Sequence, residues 1–437
     1  MLEPLYTADE MRAAEAGHDV RVLMERAGRA VAEEAMRRFP DARAFGAVCG
    51  GGANGGDARI ALEALRAAGR EAEEGLAGDV ILDGLFGTGF HGEPRADAAE
   101  VIAQLNDAGA PVVSVDLPSG VDADTGEVAG AAVRAALTVA LHGPKVGNVV
   151  GPGGFLGGEL LVRDIGLEPA KTVHALVTRD VLTRVPRKQP GDTKYSASVL
   201  VVGGAPGLTG AACLAAEAAF RADAGYVAVA APPESLPVLE ARLLEAVKRP
   251  LDDVFAAVEK ADALAIGPGL GREDDRRELV RRLLAESELP AVVDADALFG
   301  LEPFDRAAPT VLTPHSGELA RLLGVEAEWV DAHRLESVRS AAGRFDCVCL
   351  LKGADTLVAA PGQGVLVCGP GPPTLATAGT GDVLTGTIAA FLAKGMDARL
   401  AAAAGATACA EAARLGPERG LVASDVIDAL PDALETV

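Results

Sequence analysis

The stretch Thr374-Leu375-Ala376-Thr377-Ala378-Gly379-Thr380-Gly381-Asp382-Val383-Leu384-Thr385-Gly386 sets a small-residue, glycine-rich turn directly against an apolar helix expected over 383–392. The first N–H groups of a helix have no intrahelical partner and carry partial positive charge, so such a turn can hold an anion. A carboxylate beside a phosphate would repel it. Asp382 is therefore better suited to move a proton on whatever group receives or loses the phosphate. The plain alternative is a helix start with an Asp cap.

Five further polar or glycine-rich elements fall where apolar runs end, the position at which doubly wound sheets hold their ligands. They are Gly203-Gly204-Ala205-Pro206-Gly207-Leu208-Thr209-Gly210-Ala211-Ala212, Gly267-Pro268-Gly269-Leu270-Gly271, Asp294-Ala295-Asp296, Thr313-Pro314-His315-Ser316-Gly317-Glu318 and Lys352-Gly353-Ala354-Asp355-Thr356. Singly, each has an ordinary reading: a tight turn for the glycines, a solvated strand-end residue for Lys352, a helix N-terminus for His315. In series with the Gly379–Asp382 turn they suit phosphate chemistry.

The first half carries its own constellation. Cys49-Gly50-Gly51-Gly52-Ala53-Asn54-Gly55-Gly56-Asp57 follows an expected strand and opens a helix. Asp83-Gly84-Leu85-Phe86-Gly87-Thr88-Gly89 and Asp116-Leu117-Pro118-Ser119-Gly120-Val121-Asp122 also end apolar runs. Asp83 and Asp116 should converge with Asn54 at one edge of a parallel sheet. Oxygen ligands from Asn, Asp and Ser suit a hard cation better than a transition metal. Asx caps and turns at each strand end are the competing reading.

Positioning these residues takes two sheets. The 437-residue chain exceeds one ordinary core, so two domains are the default. Apolar spacing over the first ~40 residues reads as helix. Strands are expected at 45–49, 80–82, 112–115, 137–141 and 160–162, with helices at 57–68 and 97–108. A proline-bearing stretch, 166–194, links a first domain, 1–165, to a second, 195–437. There the alternation restarts, with strands at 199–202, 226–230, 264–266, 291–293 and 348–351. Helices are expected at 209–223, 234–246, 273–286, 331–343, 382–394, 398–415 and 424–431. Strand–helix alternation of this kind implies mostly parallel α/β sheets.

Composition narrows the function. The net charge of −23 is spread along the chain, which argues against nucleic acid or an anionic membrane as partner. With no signal-peptide pattern and no apolar run long enough to span a bilayer, a cytoplasmic enzyme is expected. The six cysteines show no CxxC spacing and should be buried thiols. The six histidines show no zinc-ligand spacing.

Taken together, GGAPGLTGAA, GPGLG, VVDADAL, LTPHSGEL, LKGADT and ATAGTGDVLTG resemble the ADP-dependent NAD(P)H-hydrate dehydratases, a branch of the ribokinase-like kinases. The resemblance covers roughly 180–437. It implies a three-layer α/β/α ribokinase-like domain that removes water from the S form of hydrated NADH or NADPH, using ADP or ATP with Mg²⁺. On that basis Asp382 is the base. Lys352, Gly353, Ala354, Asp355, Thr356, Gly379, Thr380 and Gly381 line the nucleotide. Ala211, Gly269, Gly271 and His315 contact the hydrate. The family's His-Lys-Gly before the first strand is replaced by Asp192-Thr193-Lys194-Tyr195-Ser196.

Residues 5–165 resemble the NAD(P)H-hydrate epimerases, with further matches at Met24-Glu25-Arg26-Ala27-Gly28 and Lys145-Val146-Gly147. This implies a three-layer Rossmann-like domain that interconverts the R and S hydrates and binds K⁺ through Asn54, Asp83 and Ser119. Substrate contacts fall on Ala53, Asn54, Gly55, Gly56, Asp57, Gly87, Thr88, Gly89, Phe90 and Asp116. Asp116 is the preferred acid/base, with Lys145 second. Three departures stand out: Ala53 and Ala58 replace an Asn and a Gly, and a short charged segment at 70–75 replaces a strand and helix. A methyl at 58 falls where the backbone would approach a ligand. The combined expectation is a bifunctional repair enzyme, a homo-oligomer acting on a small molecule. A vitamin-alcohol kinase, or a dehydratase with an inactive first half, are the alternatives.

Overall fold

The computed structural model describes residues 2–435. The chain divides into two compact units, Pro4–Ala175 with Asp331–Leu335, and Leu176–Val330 with the chain from Glu336 onward.

The smaller unit is built on six parallel strands. Their spatial order is Glu71–Glu74, Ala44–Cys49, Val80–Gly84, Val112–Val115, Leu137–Leu141, Glu159–Arg163. The central strands are buried along their whole length, as expected when both faces are covered. Alternation sends Val80 and Leu82 into one apolar cluster and Ile81 into the other. Strand order reverses at Ala44–Cys49, so the crevice at the C-terminal ends of Ala44–Cys49 and Val80–Gly84 is the topological switch point. Both ends carry the polar residues singled out above. Helix Ala53–Ala67 is fixed there by fully buried Leu62 and Leu65, each contributing about 1.5–3 kcal/mol.

The first 40 residues are not one helix. A strand, Leu2–Leu5, precedes helices Ala8–Glu15 and Val20–Arg38. Thr7 and Glu10 form a capping box at the first, and Asp19 caps the second after Gly17 turns the chain at φ 88°. The charged segment does form a strand, Glu71–Glu74, at the sheet edge and largely exposed. Its return to Val80 lacks a helix. Residues 75–79 instead cross strand Ala44–Cys49 at Gly46, where an added Cβ would lie 2.6 Å from the Gly75 carbonyl and 2.7 Å from that of Ala77. Asp79 pins the crossing by accepting from the backbone N–H groups of Arg43 and Ala44, at 2.7 and 3.0 Å.

Of the eleven strands in the second sheet, the nine that lie wholly in the larger unit run in the order Leu366–Cys368, Leu357–Ala359, Val348–Leu351, Thr310–Leu312, Ala291–Val293, Ala263–Ile266, Ser198–Val202, Tyr226–Ala231, Val247–Pro250. The first three pair antiparallel and the rest parallel. The switch point lies between Ser198–Val202 and Ala263–Ile266, whose loops are laced together. Gly204 N–H donates to Pro268 O at 3.0 Å and Ala205 N–H to Gly269 O at 2.7 Å.

Helix Thr380–Ala393 starts two residues before the expected 382–394, which puts Asp382 in its first turn. It packs on helix Thr209–Arg221 so closely that a Cβ on Gly386 would lie 2.0 Å from Ala215 O. The helix expected over 331–343 is two, Ala327–Ala332 and Arg334–Phe345. The one expected over 234–246 ends at Arg242 before strand Val247–Pro250. Strands Thr310–Leu312, Leu357–Ala359 and Leu366–Cys368, three residues each, gave no periodic signal. No helix among the described residues is long and apolar enough to cross a membrane.

Candidate active sites

In the larger unit, Gly379 takes a left-handed conformation (φ 92°) that turns the chain into helix Thr380–Ala393. A cavity of about 390 Å³ opens beside that helix start, lined by Lys352, Gly353, Ala354, Thr356, Thr380 and Gly381 and floored by apolar residues such as Leu384 and Ala410. Two expected nucleotide residues are not on its wall. Asp355 is buried beneath the loop, 2% exposed, and Gly379 faces Leu214.

Lys352 is the hub of the polar network. Its Nζ donates to Asp294 Oδ1 at 2.9 Å and lies 3.7 Å from Glu318 Oε2. Burial opposes the charge, but Asp294 and Glu318 outweigh it and hold the ammonium above the usual lysine value. Asp294 Oδ2 accepts from Thr385 Oγ1 at 2.7 Å, so both oxygens of this carboxylate are tied down. Asp382 is half-buried, and no described residue donates a hydrogen bond to it. Burial first, then the charge of Asp294, push its pKa up to about 7, against the pull of Lys352; Asp296 adds to the rise. A carboxyl poised there can exchange a proton near neutral pH.

The expected hydrate contacts gather around the same network. Ala211 and Gly269 are neighbours, with an added Cβ on Gly269 falling 3.2 Å from the Ala211 methyl. Gly271 N–H donates to Asp296 Oδ2 at 3.1 Å. His315 is an exposed N-cap whose Nδ1 accepts from Gly317 N–H, while its own N–H donates to Glu318 Oε2 at 2.9 Å. That capping box leads from His315 through Glu318 to Lys352.

In the smaller unit, Asn54, Asp83, Ser119 and Asp116 converge at the switch point. Asn54 Nδ2 donates to Val115 O at 2.6 Å and Phe86 O at 3.1 Å. Its Oδ1 occupies the space where a Cβ on Gly87 would stand, 2.1 Å away. Asp83 is fully buried and held only by neutral donors: Ser114 Oγ, Ser119 Oγ and the N–H groups of Ser119 and Leu85. Burial raises its pKa against those bonds. Asp116 sits in the left-handed region (φ 67°), and its Oδ1 pairs with the fully buried Lys145 and accepts from Leu141 N–H at 2.8 Å. Asn148 Nδ2 steadies its carbonyl at 2.9 Å.

Gly55 and Asp57 are buried at the start of helix Ala53–Ala67, while Ala53 is exposed. Thr88 and Gly89 lie on the loop closed by stacked Phe86 and Phe90, 4.6 Å between centroids. The methyl of Ala58 does not face a ligand approach. It is fully buried against Gly84, where an added Cβ would come within 2.6 Å of it.

Residues outside the expected sites turn out to carry the electrostatics. Asp294 and Glu318 were visible as a strand-end acid and as the third residue of a capping box, and those are the signals that could have found them. Thr385, Ser114 and Asn148 gave none.

The NAD(P)H-hydrate dehydratase family model matches residues 199–433, and the model for the YjeF-related protein N-terminus matches 20–73 and 67–147. The bifunctional NAD(P)H-hydrate repair enzyme Nnr of Moorella thermoacetica is 41% identical, over 83% of this chain and 74% of that one. The protein of the same name from Coxiella burnetii is 35% identical over 95% of both. Among solved structures, an ADP/ATP-dependent NAD(P)H-hydrate dehydratase from Bacillus subtilis, co-crystallised with ATP and Mg²⁺, matches with 28% identity and a TM-score of 0.55. The match spans 59% of this chain and 97% of that one. With both halves matched and similarity sustained along nearly its whole length, the chain belongs to the family of bifunctional NAD(P)H-hydrate repair enzymes.

Proposed function

We propose that the larger unit dehydrates the S hydrate of NADH or NADPH at the expense of ADP or ATP, and that the smaller unit interconverts the R and S hydrates. The observation that carries the first activity is Asp382, a carboxyl near neutral pKa at a helix N-terminus, on the edge of a lysine-bearing cavity.

The hydrate carries a hydroxyl on C6 of its ring, a poor leaving group. Asp382 takes the hydroxyl proton as the oxygen attacks the terminal phosphoryl group of the nucleotide, releasing AMP from ADP. N–H groups at the Thr380 helix start and the Lys352 ammonium face the charge that develops. Loss of the phosphate with a C5 proton restores the dihydropyridine. Mg²⁺ would be held mainly by the nucleotide's phosphates and neutralise their charge. Lys352, Gly353, Ala354, Thr356, Thr380 and Gly381 are the nucleotide contacts in this reading, with Asp355 and Gly379 supporting them from behind. Ala211, Gly269, Gly271 and His315 hold the hydrate.

In the smaller unit, Asp116 works beside Lys145. Asn54, Asp83 and Ser119 would hold K⁺. A fully buried carboxylate with only neutral donors, among oxygen-bearing neighbours, fits a large hard cation. The cation would neutralise Asp83 and stiffen the turn that carries Ser119. The domains are taken as 1–165 and 195–437 with 166–194 between them. Reduced nucleotides and ADP meet in the cytoplasm, which is where this reading puts the enzyme. A homo-oligomer is included, with exposed Val20, Val22, Phe155 and Val162 on the smaller unit in its favour.

The test mixes both epimers of hydrated NADH with the protein, ADP, Mg²⁺ and K⁺. Complete recovery of reduced-nicotinamide absorbance supports both activities. A halt after the S fraction removes the epimerase, and a stable phosphate ester removes the dehydratase in favour of a kinase.

A further inference from the structure

We propose that Asp57 is the general acid of the epimerising site, protonating the C6 hydroxyl as it departs, with Asp116 Oδ2 as the matching base. The inference rests on the epimerase reading above and gives a chemical role to a residue expected only as a contact.

Asp57 lies on helix Ala53–Ala67, one turn after Asn54, and is 5% exposed. Its Oδ1 is enclosed and has no hydrogen-bond partner. An ionised carboxylate left so would lose its hydration without replacement, a cost that favours the neutral form. A neutral carboxyl with no acceptor for its proton among the described residues is an acid awaiting a ligand. The charged groups facing it are Asp116, Glu15 and Lys145. Burial first, then Asp116 and Glu15, push its pKa up to about 8, against the pull of Lys145.

Lys145 is committed elsewhere. Its ammonium pairs with Asp116 Oδ1 and donates to Leu141 O at 2.8 Å, so it does not serve as a counter-ion hydrogen-bonded to Asp57. Asp116 Oδ1 already accepts from Lys145 and from Leu141 N–H, and among the described residues nothing donates to Oδ2. One carboxyl is therefore arranged to give a proton and its neighbour, ion-paired, to take one. The enclosed, unpartnered carboxyl and the ion-paired one thus differ in the hydrogen bonds open to them, as an acid and a base must.

The step balances without any further reagent. Asp57 donates its proton to the C6 hydroxyl, the C6–O bond breaks with its electron pair leaving on water, and the ring-nitrogen lone pair closes an N1–C6 double bond. Water then adds to C6 from the opposite face, N1 recovers its pair, and Asp116 Oδ2 takes the released proton. Exchange with solvent moves that proton back to Asp57.

The test uses the full chain with K⁺ and no nucleotide, so that the dehydratase is silent. Purified R hydrate of NADH is added in ¹⁸O-water, and both epimers are followed by chromatography and mass spectrometry. Wild type should bring R and S to equilibrium, with ¹⁸O at C6 of the S form and a rate that falls about tenfold per pH unit above pH ~8. Asp57→Asn should be slower by about 10² or more and lose the alkaline limb. Stability gives a separate reading. Because its folded pKa is raised, the stability Asp57 contributes below about pH 4 is lost progressively as pH rises from about 4 to about 8, and Asp57→Asn should erase that loss. Retention of the original oxygen, or an Asn variant within threefold of wild type, overturns the inference. A wild-type chain that leaves the R hydrate untouched removes the epimerase reading itself, and this inference with it.

Discussion

The sharpest handle on the dehydratase site is the charge of Asp294. Asp382, at about 7, is roughly one-tenth ionised at pH 6 and nine-tenths at pH 8. If Asp382 is the base proposed above it must be ionised, so kcat/KM for the S hydrate should climb about tenfold between those values and level off above. Subsaturating hydrate and nucleotide make the limb report the free protein. Asp294→Asn removes the nearest like charge while Oδ1 remains to accept from Lys352. Burial, the larger cause of the raised pKa, stays in place, so the limb should move only partway, by about one pH unit toward acid, or about 1.4 kcal/mol. No longer neutralised by the Asp294 charge, the Lys352 ammonium pulls in the same direction, with Glu318 at 3.7 Å beside it. The variant should therefore lose less at pH 6 than at pH 8. A wild-type profile flat from pH 6 to 8, or a midpoint that rises in Asp294→Asn, would refute the assignment of Asp382 as the base.

Three more expectations are independent of that one. Lys145→Met strands a buried Asp116 and should cost the smaller unit about 3–5 kcal/mol, with part recovered in Lys145→Met/Asp116→Asn; hydrogen exchange of peptides spanning 137–148 measures both. Replacing K⁺ by a bulky organic cation should lower the smaller unit's melting temperature and slow epimerisation, whereas Asp83→Asn should no longer respond to K⁺. Gly386→Ala pushes a methyl into the Ala215 carbonyl and should cost about 1–3 kcal/mol, moving the helix that carries Asp382; dehydration slows in the spectrophotometric assay while epimerisation by chromatography is unchanged.

Elements long enough to show a period were legible from residues alone. Helices Thr209–Arg221, Asp274–Glu286 and Ala398–Leu415 and strands Val112–Val115 and Leu137–Leu141 lie within two residues of expectation. Of the three-residue strands only Ala291–Val293 was expected, because a run such as Thr310–Leu312 cannot be told from any short apolar segment. The N-terminal break at Gly17 was hidden by an apolar stripe that continues in phase across two helices. At the candidate sites, the glycines and acids read from the sequence do gather at the C-terminal ends of the strands, the edge where doubly wound sheets hold ligands. The partners were not legible. That Thr385 binds Asp294 and Asn148 binds the Asp116 carbonyl depends on contacts across 91 and 32 positions of sequence.

The bare crossing at 75–79 ties two distant choices together. A link that returns over the sheet without a helix is possible only where the strand beneath presents no side chain, and Gly46 supplies that gap. Among relatives, glycine at the position of Gly46 should therefore track the length of this link. It should be fixed where the link is short and free to vary where a helix has room to arch over. An alignment of short-link sequences alone would mark Gly46 as invariant and invite a catalytic explanation. Its constraint is one of routing: the link at the far edge of the sheet runs without a helix, and one residue with no part in the chemistry makes room for it.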